Sequence, residues 1–229
     1  MCGIVGYTGS LQAKDVLLEG LKRLEYRGYD SAGIAVFDGE KLNIVKRLGK
    51  VSELVDAIGD DACIGTCGIG HTRWATHGAP SERNAHPHTS CASDIAVVHN
   101  GIIENFSELR EELIGLGHHF ESDTDTEVVA HLVEQAYNGN LLEAVRIAAS
   151  RLVGAYGLAV TCEQEPGTIV VTRKDSPIVL GHGESGSYVA SDIIAVIEAT
   201  RDVVIMEDNQ FAVMTPDAIT YFDEQGNQI

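Results

Sequence analysis

Strand-forming runs in this chain follow one another through turns instead of alternating with helices, and that ordering constrains the fold more than any other feature. From Val153 onward, β-rich runs fall at 156–162, 168–174, 177–181, 187–190, 203–206, 210–214 and 218–222. Only 191–198 interrupts them, as a short helix or turn. Earlier strands are expected at 32–37, 41–48, 64–72 and 94–99, with Asp38-Gly39 as a hairpin signal. Apolar residues at helical spacing predict helices over 12–24, 52–58, 106–116, 127–137 and 141–152. Ser52 reads as a cap with Gly59 as a stop, and Thr124 with Glu127 has the spacing of a capping box. Hairpin-connected strands with helices in two groups predict an α+β fold, two antiparallel sheets packed face to face with helices outside. No repeat, low-complexity stretch or linker divides residues 1–229, which read as a single domain.

The chemistry is concentrated at the start, Met1-Cys2-Gly3-Ile4-Val5-Gly6. Once the initiator methionine is removed, Cys2 carries a thiol and a free α-amine on one residue. The amine titrates at roughly 7.7–8.0 and the thiol near about 8.5, so one residue supplies both base and nucleophile without a histidine. Gly3 and Gly6 leave the backbone beside it uncrowded for a substrate.

Composition removes several function classes. The net charge of −18, from 34 acidic and 16 basic residues, lacks the positive footprint of a nucleic-acid binder. The acids are scattered, as on a solvated surface, and would suit a high-salt cytoplasm. No apolar run reaches the ~20 residues of a membrane span, and no signal peptide opens the chain, so a soluble, cytoplasmic protein is expected. The cysteine count is odd, at five, which argues for reduced thiols. Cys63, Cys67 and His71 suggest a metal site only weakly, because their spacing is not that of a zinc knuckle and the segment alternates like a strand.

An amide-cleaving site on Cys2 needs donors for a developing oxyanion, and Asn100 with the Gly101 amide offers two. A substrate carboxylate needs a fixed cation, for which Arg73 has the bidentate fork. A substrate ammonium needs an anion, for which Asp123 and Asp125 are candidates. Residues 79–93, with Pro80, His86, Pro87 and His88, read as a functional loop.

Five blocks carry a resemblance. They are Cys2-Gly3-Ile4-Val5-Gly6, residues 24–33 (Leu24-Glu25-Tyr26-Arg27-Gly28-Tyr29-Asp30-Ser31-Ala32-Gly33), 71–78 (His71-Thr72-Arg73-Trp74-Ala75-Thr76-His77-Gly78), 99–105 (His99-Asn100-Gly101-Ile102-Ile103-Glu104-Asn105) and Thr124-Asp125-Thr126-Glu127. In this order they resemble the glutaminase domain of the glucosamine-6-phosphate synthases, a class II glutamine amidotransferase branch of the N-terminal-nucleophile hydrolases. The phosphoribosyl amidotransferase branch differs at the block holding Tyr26-Arg27-Gly28-Tyr29-Asp30. The resemblance implies a four-layer αββα sandwich, a Cys2 nucleophile with its own amine as base, and an oxyanion hole of Asn100 and Gly101. It implies that Arg73 holds the α-carboxylate of L-glutamine and Asp125 its α-amine. Trp74, Thr76 and His77 would line the pocket, with Arg27 in support. No cofactor and no metal are implied. Ammonia would pass to fructose 6-phosphate on a sugar-phosphate isomerase domain, through which a homodimer forms. That second half is absent from these 229 residues, so the chain reads as an excised domain. Other readings of the residues are a different N-terminal-nucleophile amidase, a non-catalytic glutamine-sensing domain and a metal module.

Overall fold

The computed structural model describes residues 2–59 and 62–229. In chain order the strands are β1 (Gly3–Gly9), β2 (Ser31–Phe37), β3 (Leu42–Leu48), β4 (Cys67–Arg73), β5 (His88–Thr89), β6 (Ile95–Ile103) and β7 (Gly154–Cys162). They continue with β8 (Ile169–Lys174), β9 (Val179–Gly183), β10 (Gly186–Ala190), β11 (Val203–Ile205), β12 (Phe211–Met214) and β13 (Ile219–Phe222). The helices are α1 (Ala13–Leu24), α2 (Val51–Ile58), α3 (Phe106–Gly115), α4 (Glu127–Ala136) and α5 (Leu141–Ser150).

Two antiparallel sheets result. One has the order β11-β9-β10-β1-β4-β2-β3, the other β13-β12-β8-β7-β6-β5. Three apolar clusters separate four layers. Leu17, Leu21 and Leu54 lie between α1, α2 and the first sheet. Ile4, Ile69, Val98 and Val171 lie between the sheets. Leu113, Val129, Val133, Val145 and Leu158 lie between the second sheet and α3–α5. Each such side chain contributes roughly 1.5–3 kcal/mol by burial, so both sheets are held on both faces. This is the expected αββα sandwich.

The period-2 alternation of β1, β4 and β6 aims the chemistry. In β4, Cys67 and Ile69 face the other sheet, and so do His71 and Arg73. Gly68 and Gly70 face α1, where an added Cβ would come within 3.1 Å of Leu17 and 3.0 Å of Leu21. The small residues of this strand therefore mark close helix approach, as its composition suggests. In β6, His99 faces α4 and Asn100 faces the first sheet. β1 and β4 run antiparallel, with Gly3 opposite Thr72. The start of β1 and the end of β4 thus meet at one edge of the sandwich.

Three expectations need correction. Asn100-Gly101 does not end a strand; it lies inside β6, paired with Gly157 and Tyr156. Gly101 has φ of +133°, and a Cβ there would fall on the Ala155 carbonyl oxygen, so only glycine fits. Ser52 does not cap α2. The N-cap is Lys50, and the Glu25 carboxylate accepts from the Val51 amide at 2.9 Å. Thr124 and Glu127 do not form a capping box, because α4 starts at Glu127 itself. The Glu127 carboxylate reaches back to the Glu121 and Ser122 amides, both at 2.7 Å, while the Thr124 hydroxyl goes to His88. As the strand-like alternation of the segment suggests, Cys63 and Cys67 pack in the core: Cys63 belongs to the cluster under α1 and α2 and Cys67 to the cluster between the sheets, on opposite faces. The segment 79–93 is largely irregular, but it buries Asn84, Ala85 and His86 and contributes β5 to the second sheet.

Candidate active site

Cys2 lies where β1 begins, half-buried, with its sulfur 3.2 Å from the Trp74 amide, which donates to it. Burial pushes the thiol up, Asp30 adds to that, and the Trp74 amide and Arg73 work the other way; the net direction is up. A thiol held above its ordinary range needs a base, which is what an N-terminal amine provides. Met1, on whose removal that amine depends, lies outside the described residues.

Asn100 Nδ2 donates to the Cys2 carbonyl oxygen at 3.2 Å. Its orientation is set by a proton count. His71 Nε2 lies 2.9 Å from the His99 carbonyl oxygen, which only accepts, so Nε2 carries the proton. The Asn100 atom 3.0 Å from that same nitrogen must then be its oxygen, which leaves the amide nitrogen pointing at Cys2. Full burial holds the His71 pKa down at about 3, so the ring stays neutral and the orientation persists at neutral pH. In sequence His71 stands out only in the 71–78 block and beside Cys63 and Cys67; its positioning of Asn100 emerges from the packing of two sheets.

Cys2, Arg73, Trp74, Thr76, Gly101 and Asp125 line one narrow cleft, with about 260 Å³ of space including its open mouth. Arg73 is buried. Its Nη2 donates to the Gly78 carbonyl at 2.9 Å and also to that of His77, while its Nη1 has no partner among the described residues. Asp125 is buried, and its Oδ2 accepts from the Ile103 amide at 2.8 Å. Asp123, the other acidic candidate, is on the surface and pairs with Arg83. Trp74 is half-exposed, edge-on to Tyr29 at 5.4 Å. His77 does not line the cleft with the others; its ring packs on Phe106 and its carbonyl serves Arg73. Arg27 is buried and bonds the Ser191 carbonyl at 3.0 Å and Asp192 at 3.1 Å. Ser191 in turn accepts from the Ile4 amide, so Arg27 braces the flank of β1.

The block at 24–33 holds the other wall. Asp30 accepts from the Ala75 amide, and its own amide donates to the Arg73 carbonyl at 3.1 Å. Gly28 permits this, since a Cβ would come 2.7 Å from the Arg73 carbonyl carbon.

Three histidines fix the Thr124-Asp125-Thr126 segment. His86 Nε2 and His99 Nδ1 both meet the Thr126 hydroxyl, at 3.0 and 2.8 Å, and His88 Nε2 meets Thr124 at 3.0 Å. Burial lowers the pKa of His99 and drives those of His86 and His88 well below the usual range. The unfolded chain binds these protons near about pH 6.5, and the folded chain only at lower pH. Stability is therefore full above that pH and is lost as pH falls. The urea midpoint is expected to drop between about pH 7 and about pH 5, each buried histidine contributing up to about 1.4 kcal/mol per pH unit. An unchanged midpoint across that interval would contradict the neutral-histidine reading.

A family model described as a glutamine amidotransferase domain matches residues 71–198. The chain belongs to the glutamine amidotransferase family. Glutamine–fructose-6-phosphate aminotransferase (isomerizing) from Clostridium tetani is 50% identical over all 229 residues, and that from Thermus thermophilus is 52% identical over the same span. The chain spans 38% of the length of each. Among solved structures, the glutamine phosphoribosylpyrophosphate amidotransferase of B. subtilis superposes with a TM-score of 0.84 at 27% identity, over 99% of this chain and 50% of that one. The far higher identity to the aminotransferases agrees with the branch indicated by Tyr26-Arg27-Gly28-Tyr29-Asp30. Among the described residues, no helix is long and apolar enough to cross a membrane.

Proposed function

We propose that this glutamine amidotransferase hydrolyses L-glutamine to glutamate and ammonia through a thioester on Cys2. The α-amine of the processed chain takes the thiol proton, through a bridging water, as sulfur attacks the carboxamide carbon. Asn100 Nδ2 and the Gly101 amide receive the oxyanion, the ammonia leaves, and water releases glutamate. Arg73 takes the α-carboxylate on its fork and Asp125 the α-ammonium. Thr76 and Trp74 wall the pocket, His77 supports Arg73 through its carbonyl, and Arg27 steadies β1. In the longer protein, ammonia passes to fructose 6-phosphate on a sugar-phosphate isomerase domain that also forms a homodimer.

The observation that carries this reading is the cleft itself. It joins a leading cysteine to a buried carboxylate and a buried guanidinium nitrogen with no partner among the described residues, the complement of an α-amino acid. A glutamine analogue carrying an alkylating group in place of its side-chain carboxamide is expected to label Cys2 once per chain, in material whose intact mass lacks Met1. Excess glutamine should protect, and labelling elsewhere or none would refute the assignment.

A further inference from the structure

A second cluster of reactive side chains lies behind the cleft, on the α4 side of the second sheet. Cys91 follows β5, His118 sits in the α3–α4 connection, and His131 and Glu134 are one turn apart on α4. One donor atom from each of the four lies within 4.8 Å of the other three. Cys91 Sγ is 3.7 Å from His118 Nδ1 and 3.6 Å from His131 Nδ1. Glu134 Oε2 is 2.9 Å from the first nitrogen and 3.2 Å from the second. Tetrahedral zinc with ordinary bond lengths has a sulfur–nitrogen edge of roughly 3.6 Å and a nitrogen–oxygen edge of roughly 3.4 Å. The sulfur edges already match, and the oxygen edges need to open only slightly.

His118 Nε2 faces the Gln135 side-chain oxygen at 3.0 Å, and His131 Nε2 lies 3.6 Å from the Glu127 carboxylate with no hydrogen-bond partner among the described residues. Each Nδ1 faces Glu134 Oε2, which only accepts, so without an ion a ring proton points inward to Glu134 and an ion would take that proton's place. Both outer neighbours can accept the displaced protons, after which two nitrogen lone pairs, a carboxylate and a sulfur would converge on one point. The surroundings are those of a metal site. A carboxylate backs His131, and Ser122 and the Glu121 amide hold that carboxylate in place. The His119 amide donates to Cys91 Sγ at 3.4 Å, and the Cys91 amide donates to Glu134 at 3.1 Å.

We propose that Cys91, His118, His131 and Glu134 bind one zinc ion, as a structural site. Binding releases the thiol proton to solvent and leaves both imidazoles neutral. The ion would tie the β5–β6 turn and the α3–α4 connection to α4, whose first residue lies two positions beyond Asp125. It would thereby stiffen the segment that presents Asp125 to the cleft. The sequence hides the site because its members lie 27, 13 and 3 residues apart, on three separate segments.

The test uses Cys2→Ala protein, so that the nucleophile cannot serve as a ligand. After equilibration with zinc and dialysis, about one equivalent of zinc is expected by mass spectrometry. Cys91→Ser and His118→Asn, added separately, should each lose it. Cobalt(II) in place of zinc should give tetrahedral d–d bands and a thiolate-to-cobalt charge-transfer band, with the latter absent after Cys91→Ser. The cobalt spectrum of the unsubstituted site decides the matter even if a ligand variant misfolds. Inward ring protons held by Glu134 are the alternative to an ion, and they predict no metal. No zinc uptake, zinc that survives Cys91→Ser, or cobalt without a thiolate band would each overturn the proposal.

Discussion

Cys2→Ala protein is expected to release no ammonia from glutamine above background while still binding it. A missing nucleophile removes the thioester path entirely, and losses of about 10⁴–10⁶ in kcat are typical when a nucleophile is deleted. The expectation is sharper than inactivity, because Arg73 and Asp125 remain in place. Calorimetry should find glutamine bound with an affinity close to the KM of the parent. A companion form separates sulfur from amine. One extra residue left ahead of Cys2 keeps the thiol but converts the amine to an amide, which cannot take a proton. Loss of a general base costs on the order of 10²–10⁴. Burial already holds the thiol above its ordinary range, so little thiolate is available without that base. Ammonia release that survives Cys2→Ala would end the glutaminase reading. Full activity with a blocked amine would keep the nucleophile but require another base.

The fold was legible in the sequence where period and turn chemistry agree. Asp38-Gly39 does open the turn that joins β2 to β3, a four-residue connection with Phe37 opposite Leu42. The glycines of β4 mark the close approach of α1, where a side chain would meet Leu17 or Leu21. Local signals failed where distant groups took over a local task. Glu25 caps α2 from another element, and Glu127 serves the chain before α4 instead of closing a box with Thr124. Asn-Gly resembles a turn in isolation, yet pairing with β7 keeps it extended within β6.

The same distinction applies to the site. Residue types at Cys2, Arg73, Asn100 and Asp125 announce chemistry because each supplies a charge, a donor or a nucleophile that few other residues supply. Nothing local says which of Asp123 and Asp125 points inward; the amide of Ile103 and the pairing of Asp123 with Arg83 decide it. The four neutral histidines behind the cleft were invisible as a group, since His71, His86, His88 and His99 come from three strands and a loop. Their protons, not their positions in sequence, determine how Asn100 and the Thr124–Thr126 segment are held.

Arg73→Ala is expected to lower kcat/KM for glutamine by roughly 30- to 5000-fold, the cost of about 2–5 kcal/mol for a buried charged contact. The side chain has two jobs. Nη2 binds the carbonyls of His77 and Gly78, and Nη1 is the atom left for substrate. Alanine removes both, so a raw loss of activity does not separate carboxylate binding from loop support. A second substrate does. Glutamine with its α-carboxylate converted to a neutral amide lacks the group Arg73 is proposed to hold. Parent enzyme should discriminate strongly against this analogue, and Arg73→Ala should lose most of that discrimination, because each change removes the same interaction. Arg73→Lys keeps the charge without the planar fork, so it should fall between the two. Discrimination that survives Arg73→Ala unchanged would reduce Arg73 to a support for the 77–78 turn and leave the carboxylate to another partner.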